Sequence, residues 1–326
     1  IQHIRPVEVG ELTSERYWEK WNRVSAEQIE EIGRRFFRKL WSGRAMSPET
    51  LLFDTTNYFT YMATKTPSAL AVRGHNKSGK HQLRQIGLGL LLDRQSSLPL
   101  FYTVYPGNLH DATLFRRIMD ELFGVVCGAS EGERQVTFVF DKGMNSEENI
   151  GLIDSQRHLH FVTTYSPFFA EHLARLAPKH FTPLDMAKNQ ALRDGGREDD
   201  LLMAYRTSLP LWGRERTVVV TYNPVTNRKK RYDLARKLER IRAELIEYRR
   251  KCRRREPQWR NPKDIVARYR RVCEGLHVSH RYYRLRFADG AMSFGKDSTA
   301  IAAQEATLGK TIIVTDNHNW STEEIV

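Results

Sequence analysis

Cysteine is scarce in this 326-residue chain, and Cys127, Cys252 and Cys273 are odd in number with no Cys-x-x-Cys pair among them. That argues against both a disulfide framework and a structural zinc site, so the three are expected to be reduced and incidental. No apolar run approaches the roughly 18 to 20 residues that cross a bilayer, and nothing near the start reads as a signal peptide; a cytoplasmic location is expected. Acidic residues are in deficit as well: 39 Asp and Glu stand against 52 Lys and Arg, a formal net charge of +13, with a pI near 9.7. Such a balance favours a polyanionic partner, and without lipid-anchor signals nucleic acid is favoured over membrane. What is present is the composition of a globular protein, 40% hydrophobic and 28% charged, long enough for one large or two ordinary domains. The chain begins with Ile1 and ends in STEEIV, which reads as a helix just starting, so a piece of a longer protein is expected.

Helical patterning marks residues 14 to 22 and 25 to 41. In the second, Ser25 is a good N-cap with Gln28 at the capping-box position, and Ile29, Ile32, Phe36 and Leu40 share a face. Trp18 and Trp21 are expected to pack these helices. Strands are expected at 51 to 59, 84 to 93 and 98 to 105, the last two forming a hairpin through the short turn RQSS. The loop between the first two carries Lys65, Arg73, Lys77, Lys80 and Arg84; it reads either as a solvated loop or as a contact to a phosphate backbone. A helix follows, with Asp111 as N-cap and Leu114, Phe115, Ile118, Met119 and Leu122 as its apolar face. A fourth strand at 135 to 143, a helix capped by Ser146 and a fifth strand at 158 to 164 complete the series. Three strands, helix, strand, helix, strand predicts an α/β fold with a mixed sheet flanked by helices.

From about residue 166 to 310 the character changes. Residues 214 to 222 read as a strand, and 231 to 255 as a long helix whose Leu234, Leu238, Ile241, Leu245, Tyr248 and Cys252 recur every three or four positions, the seam of a helix that packs along its length. Asn261-Pro262 opens a second helix ended by Gly275, making a helical hairpin. A strand at 281 to 287, a capped helix from Asp297 to Leu308 and a strand at 311 to 317 follow. Between Arg228 and Arg255 there are 14 Lys and Arg against 4 Asp and Glu. An excess this one-sided is more than pairing along the helix absorbs, so the helix is read as a DNA contact, with Arg249, Arg250, Lys251, Arg253 and Arg254 near its end.

Two acids share a design. Asp54 lies in the strand LLFDTTNYF and Asp141 ends the strand QVTFVFDKG. A buried, unpaired carboxylate costs several kcal/mol, so such an acid is expected to be hydrogen-bonded, neutralised or holding a cation; a turn-forming Asx bond is the alternative for each. If the first and fourth strands are neighbours, the carboxylates come within reach and repel unless a cation lies between them. Mg²⁺ suits the position because it takes oxygen ligands and bridges to phosphates, and two ions roughly 4 Å apart would support in-line phosphoryl displacement. Lys142, Asn108, His110 and Asn145 either orient phosphate or water or make loop hydrogen bonds. Trp212 and Trp259 are read as core residues rather than as stacking platforms for an unpaired base.

FDTTNYF, GLGLLLDRQSSLPLFYTVYPGNLHD, VFDKGMNSEENI and IIVTDNHNWSTEEI, in that order, resemble the catalytic domain of bacterial insertion-sequence transposases of the DDE class. The likeness covers about 49 to 165 and 311 to 326. It implies an RNase H-like core interrupted by an insertion. On that reading 1 to 48 is an N-terminal helical segment and 49 to 165 the first part of the core. Residues 166 to 310 are an insertion that helps hold DNA, and 311 to 326 are the last strand and the start of the catalytic helix. The resemblance further implies that Asp54 and Asp141 are the first two acids of a triad holding Mg²⁺ or Mn²⁺, two ions in all. It implies an enzyme that cuts transposon ends and joins them to target DNA, with double-stranded DNA as partner, a homodimer in the synaptic complex and a place on the bacterial nucleoid. Lys77, Lys80, Arg84 and Lys142 join the basic helix as candidate DNA contacts. The third acid, a Glu, is expected beyond Val326; Glu323 and Glu324 read as dipole-matched surface residues, and Asp316 repeats the strand-end design. A hydrolytic nuclease on the same core and an inactive DNA-binding remnant of a mobile element are the alternatives.

Overall fold

The computed structural model describes residues 13–42, 49–63, 65–74, 79–109, 114–116, 118–119 and 135–326. Asp111, His110, Leu122, Lys77 and Cys127 lie outside the described residues. Two compact units divide the chain between His160 and Phe161.

In the first unit the strands are β1 (Thr50–Thr60), β2 (Arg84–Asp93), β3 (Pro99–Pro106) and β4 (Val136–Phe140). β2 pairs antiparallel with both β1 and β3, so the expected hairpin forms, and β1 pairs parallel with β4. The order is β3-β2-β1-β4. The carbonyl of His158, just ahead of β5 (Leu159–Tyr165), accepts from the Val136 amide. Three antiparallel strands followed by a parallel fourth make the mixed sheet that the element order predicts.

The β2–β3 turn is closed by Asp93, whose carboxylate accepts from both the amide and the hydroxyl of Ser96. Inside β2, Gly87 has no side chain because the ring of Tyr105 on β3 lies across it; a Cβ there would sit 2.1 Å from that ring. Residues 114–116 and 118–119 are helical, and Leu114, Phe115, Ile118 and Met119 are buried as their spacing predicts. Phe115 meets Phe138 and Phe140 of β4 at ring-centroid separations of 5.7 and 5.1 Å.

The N-terminal helices Ser14–Trp21 and Ala26–Ser42 form where expected, the second with a reciprocal capping box between Ser25 and Gln28. Their packing differs from the expectation. Trp18, Ile32 and Phe36 are 59 to 60% exposed, and Trp21 and Ile29 are exposed too. Contact with β3 is made instead through Gly33, where a Cβ would stand 3.2 Å from the Tyr102 hydroxyl, and through Phe37, which meets Tyr102 edge-on at 5.8 Å. A residue without a side chain lets the ring approach the helix backbone, and the face bearing Gly33 and Phe37 therefore outcompetes the apolar stripe beside it.

In the second unit β11 (Lys310–Thr315) pairs antiparallel with β5 and with β8 (Arg214–Tyr222). β8 pairs with β7 (Met203–Leu211), and β7 with the short β6 (Thr182–Pro183). β7 is not evident in the sequence, because Leu209-Pro210 and the mixed run before it obscure its alternation. Arg216 to Thr221 of β8 are buried without a break, the mark of a strand covered on both faces.

The long helix runs from Pro224 to Arg253, beginning nearly three turns ahead of its apolar seam, which starts at Leu234. Asn223 caps it by accepting from Thr226, and Pro224 occupies its first position. The seam packs as its spacing predicts: Leu238, Ile241, Leu245, Tyr248 and Cys252 are buried against Trp259, Ile265, Tyr269 and Cys273, with Leu234 partly buried beside them. The second helix of the hairpin is Pro262–Gly275, capped by Asn261. Cys252 and Cys273 are free and buried, and burial pushes both thiols up. β9 (Tyr283–Ala288) and β10 (Ala291–Lys296) form a two-stranded ribbon beside this core, followed by the helix Ser298–Thr307 capped by Asp297.

Gly309 leads into β11 with φ +75°, and a Cβ there would sit 2.7 Å from the Asn223 carbonyl at the cap of the long helix. Gly213 has a similar φ of +73° but open space around it. Gly309→Ala is expected to lower stability by roughly 1–3 kcal/mol, and by more than Gly213→Ala. Equal losses in denaturant unfolding would show that only the backbone conformation matters at position 309.

Candidate active site

The acids of the first unit are placed by the β1–β4 pairing. Leu51 lies opposite Phe138 and Leu52 opposite Val139, so continuing the register by two residues sets Asp54 opposite Asp141. Side chains alternate between faces along a strand. Phe53 and Phe140 go to the buried face with Leu51 and Phe138, while Asp54 and Asp141 follow Leu52 and Val139 to the other face, where both are exposed. Neighbouring strands are about 4.8 Å apart, which brings two carboxylates to one end of a strand pair.

Exposure corrects one premise. Asp54 is not a buried charge seeking compensation, so desolvation does not explain it. The Oδ1 of Asp54 accepts from the Thr55 amide at 2.8 Å, and that of Asp141 accepts from the Lys142 amide at 2.7 Å. Each acid thus uses the same local bond, to the next residue's N–H, and Asp141 also caps the 3₁₀ turn Lys142–Met144.

Among the described residues no group of three His, Cys, Asp or Glu side chains gathers as a metal site. The pair alone offers hard carboxylate oxygens open to solvent, a donor set suited to Mg²⁺ or Mn²⁺, which complete their shells with water or phosphate.

The basic candidates of the first unit are dispersed in role. Lys80 is exposed, with its Nζ 5.2 Å from the centre of the Phe59 ring. Arg84 donates to the Thr66 carbonyl at 2.5 Å, which ties the loop before β2 to the strand. Lys142 is exposed beside Asp141, and Asn108 is exposed at the end of the β3 segment. Asn145 closes the turn by donating its amide to the Lys142 carbonyl.

The acids of the second unit serve the fold. Asp316 accepts from the Phe161 amide at 2.8 Å, prolonging the join of β11 to β5. Glu324 completes a capping box with Ser321, and Glu323 accepts from the Asp185 amide. The Ser321 bonds hold the Glu324 carboxyl below its usual range. Arg206 donates to the carbonyls of His318 and Trp320, bracing the loop between β11 and that turn.

On the long helix, pairing absorbs more charge than its composition suggests. Arg236 and Lys237 both meet Asp233, Arg242 meets Glu239 and Arg250 meets Glu247, while Arg228 and Arg231 reach Asp200 and Glu305. Arg249 lies over the Phe294 ring and Lys251 over Trp259. Arg253 and Arg254 are exposed and make no ion pair among the described residues. Trp259 is core, with its ring 4.7 Å from that of Tyr248. Trp212 and Gly213 have φ +52° and +73° in the β7–β8 turn, the signature of a two-residue I′ hairpin; the Trp212 ring meets Phe161 and Tyr165 edge-on.

The profile of the transposase DDE domain matches residues 60–271; the match contains Asp141 and begins after Asp54. No curated protein sequence matches. Among solved structures the chain is similar to a piggyBac transposase synaptic complex with hairpin DNA, at 14% identity and a TM-score of 0.31, covering 57% of this chain and 34% of that one. A Mos1 transposase paired-end complex with the left transposon end gives 14% identity and a TM-score of 0.23, over 46% of this chain and 44% of that one. The chain therefore spans less than half the length of these two relatives.

Both acids are exposed and each holds the amide of its own neighbour. Asp54→Asn and Asp141→Asn, which keep the acceptor oxygen, are therefore expected to leave stability within about 0.5 kcal/mol. A drop of several kcal/mol in thermal or denaturant unfolding would mark either carboxylate as structural.

Proposed function

The chain belongs to the transposase DDE-domain family, and on that premise we propose that it is the catalytic part of a DNA transposase, which cleaves transposon ends and transfers them to target DNA. The observation that carries the reading is the β1–β4 register, which aligns Asp54 and Asp141 on one exposed face. Asp54 and Asp141 would hold divalent metal, Mg²⁺ or Mn²⁺ and two ions on this reading. When bound there, such a metal would supply charge stabilisation at the phosphodiester and activation of a water or 3′-hydroxyl.

The chain's own residues contribute position and charge. The Thr55 and Lys142 amides fix the orientation of the two carboxylates. The Lys142 ammonium, one residue from Asp141, attracts the phosphate backbone toward the acids. Lys80 and Arg84 extend that attraction along the β1–β2 connection, with Lys77 in the same loop. Strand transfer needs two oxygens placed in line at phosphorus, so most of the catalytic work is orientation and electrostatics.

We read residues 49–165 as the first part of the core, 166–310 as the insertion and 311–326 as the last core strand with the first turn of the following helix. The long basic helix belongs to the insertion, and its end at Arg253 and Arg254 contacts DNA phosphates together with Arg249, Arg250 and Lys251. Bringing two transposon ends together would require two copies, and the site of action is the chromosomal DNA.

Asp54→Asn or Asp141→Asn, made in the full-length protein, is expected to reduce Mg²⁺-dependent cleavage and joining of a transposon-end duplex by at least the roughly 10- to 100-fold that losing an outer-shell metal partner costs. DNA binding measured in chelator should be retained. Activity within a few-fold of the unsubstituted protein would remove both acids from the site, and nicked DNA without any joined product would mark a hydrolytic nuclease instead.

Neutralising Arg253 and Arg254 together is expected to flatten the dependence of DNA affinity on salt, by about 0.9 in log–log slope for each phosphate no longer neutralised. An unchanged slope would refute phosphate binding by that end of the helix.

A further inference from the structure

The β9–β10 ribbon has two unlike faces. Tyr283, Leu285, Phe287, Met292 and Phe294 pack toward the helical hairpin, Tyr283 also donating its hydroxyl to the Leu238 carbonyl. The opposite face carries Arg284, Arg286 and Ala288 on β9, all exposed. Their partners across the ribbon are Gly295, Ser293 and Ala291. Every residue facing an arginine is thus small, so no side chain across the ribbon covers the guanidinium groups. Asp289 and Gly290, with φ +50° and +75°, close the ribbon in a tight I′ turn that ends this face without a bulky loop.

Arg284 meets Asp297 in an ion pair with its own side chain 69% exposed. Arg286 makes no ion pair among the described residues. Lys296, at the far end of β10, is exposed as well but pairs with Tyr283 of the packed face, so it is not part of the arginine row. An open recess lies here, lined by Arg284, Arg286, Ser293, Gly295 and Thr299 together with the Asp297 carboxylate that pairs with Arg284. Residues two apart on one strand face are about 6.6 Å apart, close to the separation of successive phosphates along one nucleic-acid strand.

A flat, two-stranded ribbon with a row of arginines at phosphate spacing and small residues opposite has the shape and charge to lie against a backbone. It lacks the apolar anchors that a protein interface requires at its centre. We propose that the outer face of the β9–β10 ribbon docks along the phosphate backbone of duplex DNA, with Arg284 and Arg286 on neighbouring phosphates. The inference rests on DNA being the partner, and adds to the basic helix a second contact surface. Arg249 of the helix lies over Phe294 on the packed side of the ribbon, so the two surfaces are held in one body. The helix is conspicuous because its charge is dense along the chain. Arg284 and Arg286 form a row only once alternation and pairing place them on one face, and the alternation in RYYRLRF is the trace of it in the sequence.

The test is a salt titration of duplex oligonucleotide binding by the full chain, without divalent metal so that cleavage does not contribute. Arg286→Ala is expected to flatten the log–log slope by about 0.9, and Ala288→Arg, which lengthens the row, to steepen it by a similar amount. Arg286→Lys should keep the slope. Both positions are exposed, and unfolding curves confirm that the variants are folded. Unchanged slopes in both Arg286→Ala and Ala288→Arg overturn the ribbon assignment while leaving the DNA reading intact. A chain that binds no duplex at all overturns both. Equal drops in affinity for polyglutamate and for DNA would make the face a general anion surface and overturn its assignment to the nucleic-acid backbone.

Discussion

The parallel pairing of β1 with β4 is the constraint on which the proposed catalytic role depends. A strand's side chains alternate with a period of two, so a slip of one residue in either strand would send one acid to the buried face and the other to solvent. The register is locked by rings. Phe53 and Phe138 lie 6.1 Å apart, Phe138 and Phe140 5.1 Å apart, and Phe115 stands over both of the latter. A slip would pull several of these out of the core, at roughly 1.5–3 kcal/mol for each large apolar side chain exposed. Packing on one face therefore specifies the position of the carboxylates on the other, and the acids themselves contribute nothing to that choice.

The second unit solves a different problem, which is how to carry a large positive charge on a folded body. The long helix does so by segregation. Its three-and-four spacing gathers Leu238, Ile241, Leu245, Tyr248 and Cys252 into one buried seam, leaving the remaining positions to solvent. Lys310, half-buried, shows how a cation that leaves the solvent is partnered. The Lys310 ammonium donates to the carbonyls of Ala174, Leu176 and Ala306 at 2.5 to 2.9 Å, so its three donors meet three acceptors, all in the last turn of a helix or just past it. Burial pulls its pKa below the usual lysine range. Three backbone carbonyls thus accompany one half-buried lysine.

Much of this is legible in the sequence alone. Capping residues read well, because Ser25 with Gln28, Ser146, Asn261 and Asp297 act through bonds to backbone two or three residues away. The helix seam reads well because its period is local too. What escapes is set by partners distant in sequence. Gly33 prevails over the stripe of Ile29, Ile32 and Phe36 only because Tyr102 of β3 arrives beside it. β7 is hidden because its identity comes from pairing with β8, and β10 because its residues are small and polar on the outer face. The helix start at Pro224 is hidden because the seam, the pattern that marks the helix, begins only where the hairpin partner does.

The strand-end acids show how one sequence pattern divides into two structural outcomes. In the sequence Asp54, Asp141 and Asp316 each follow an apolar run; in the structure Asp54 stands midway along β1, Asp141 just after β4 and Asp316 just after β11. At Asp54 and Asp141 the carboxylate turns to the amide of the very next residue, a bond that needs no other part of the fold and leaves the group in solvent. At Asp316 it reaches the Phe161 amide, 155 positions away in sequence, and so serves as one more rung between β11 and β5. Beside it, Thr315 donates its hydroxyl to the Phe161 carbonyl, so both polar groups of Phe161 are satisfied by the end of β11. Removing the Asp316 side chain would leave a part-buried amide without its acceptor, at a cost of about 1–3 kcal/mol, whereas the amides held by Asp54 and Asp141 belong to their own neighbours. An exposed acid repeated on paired strands and aimed at the same face is the kind of residue that function rather than stability retains.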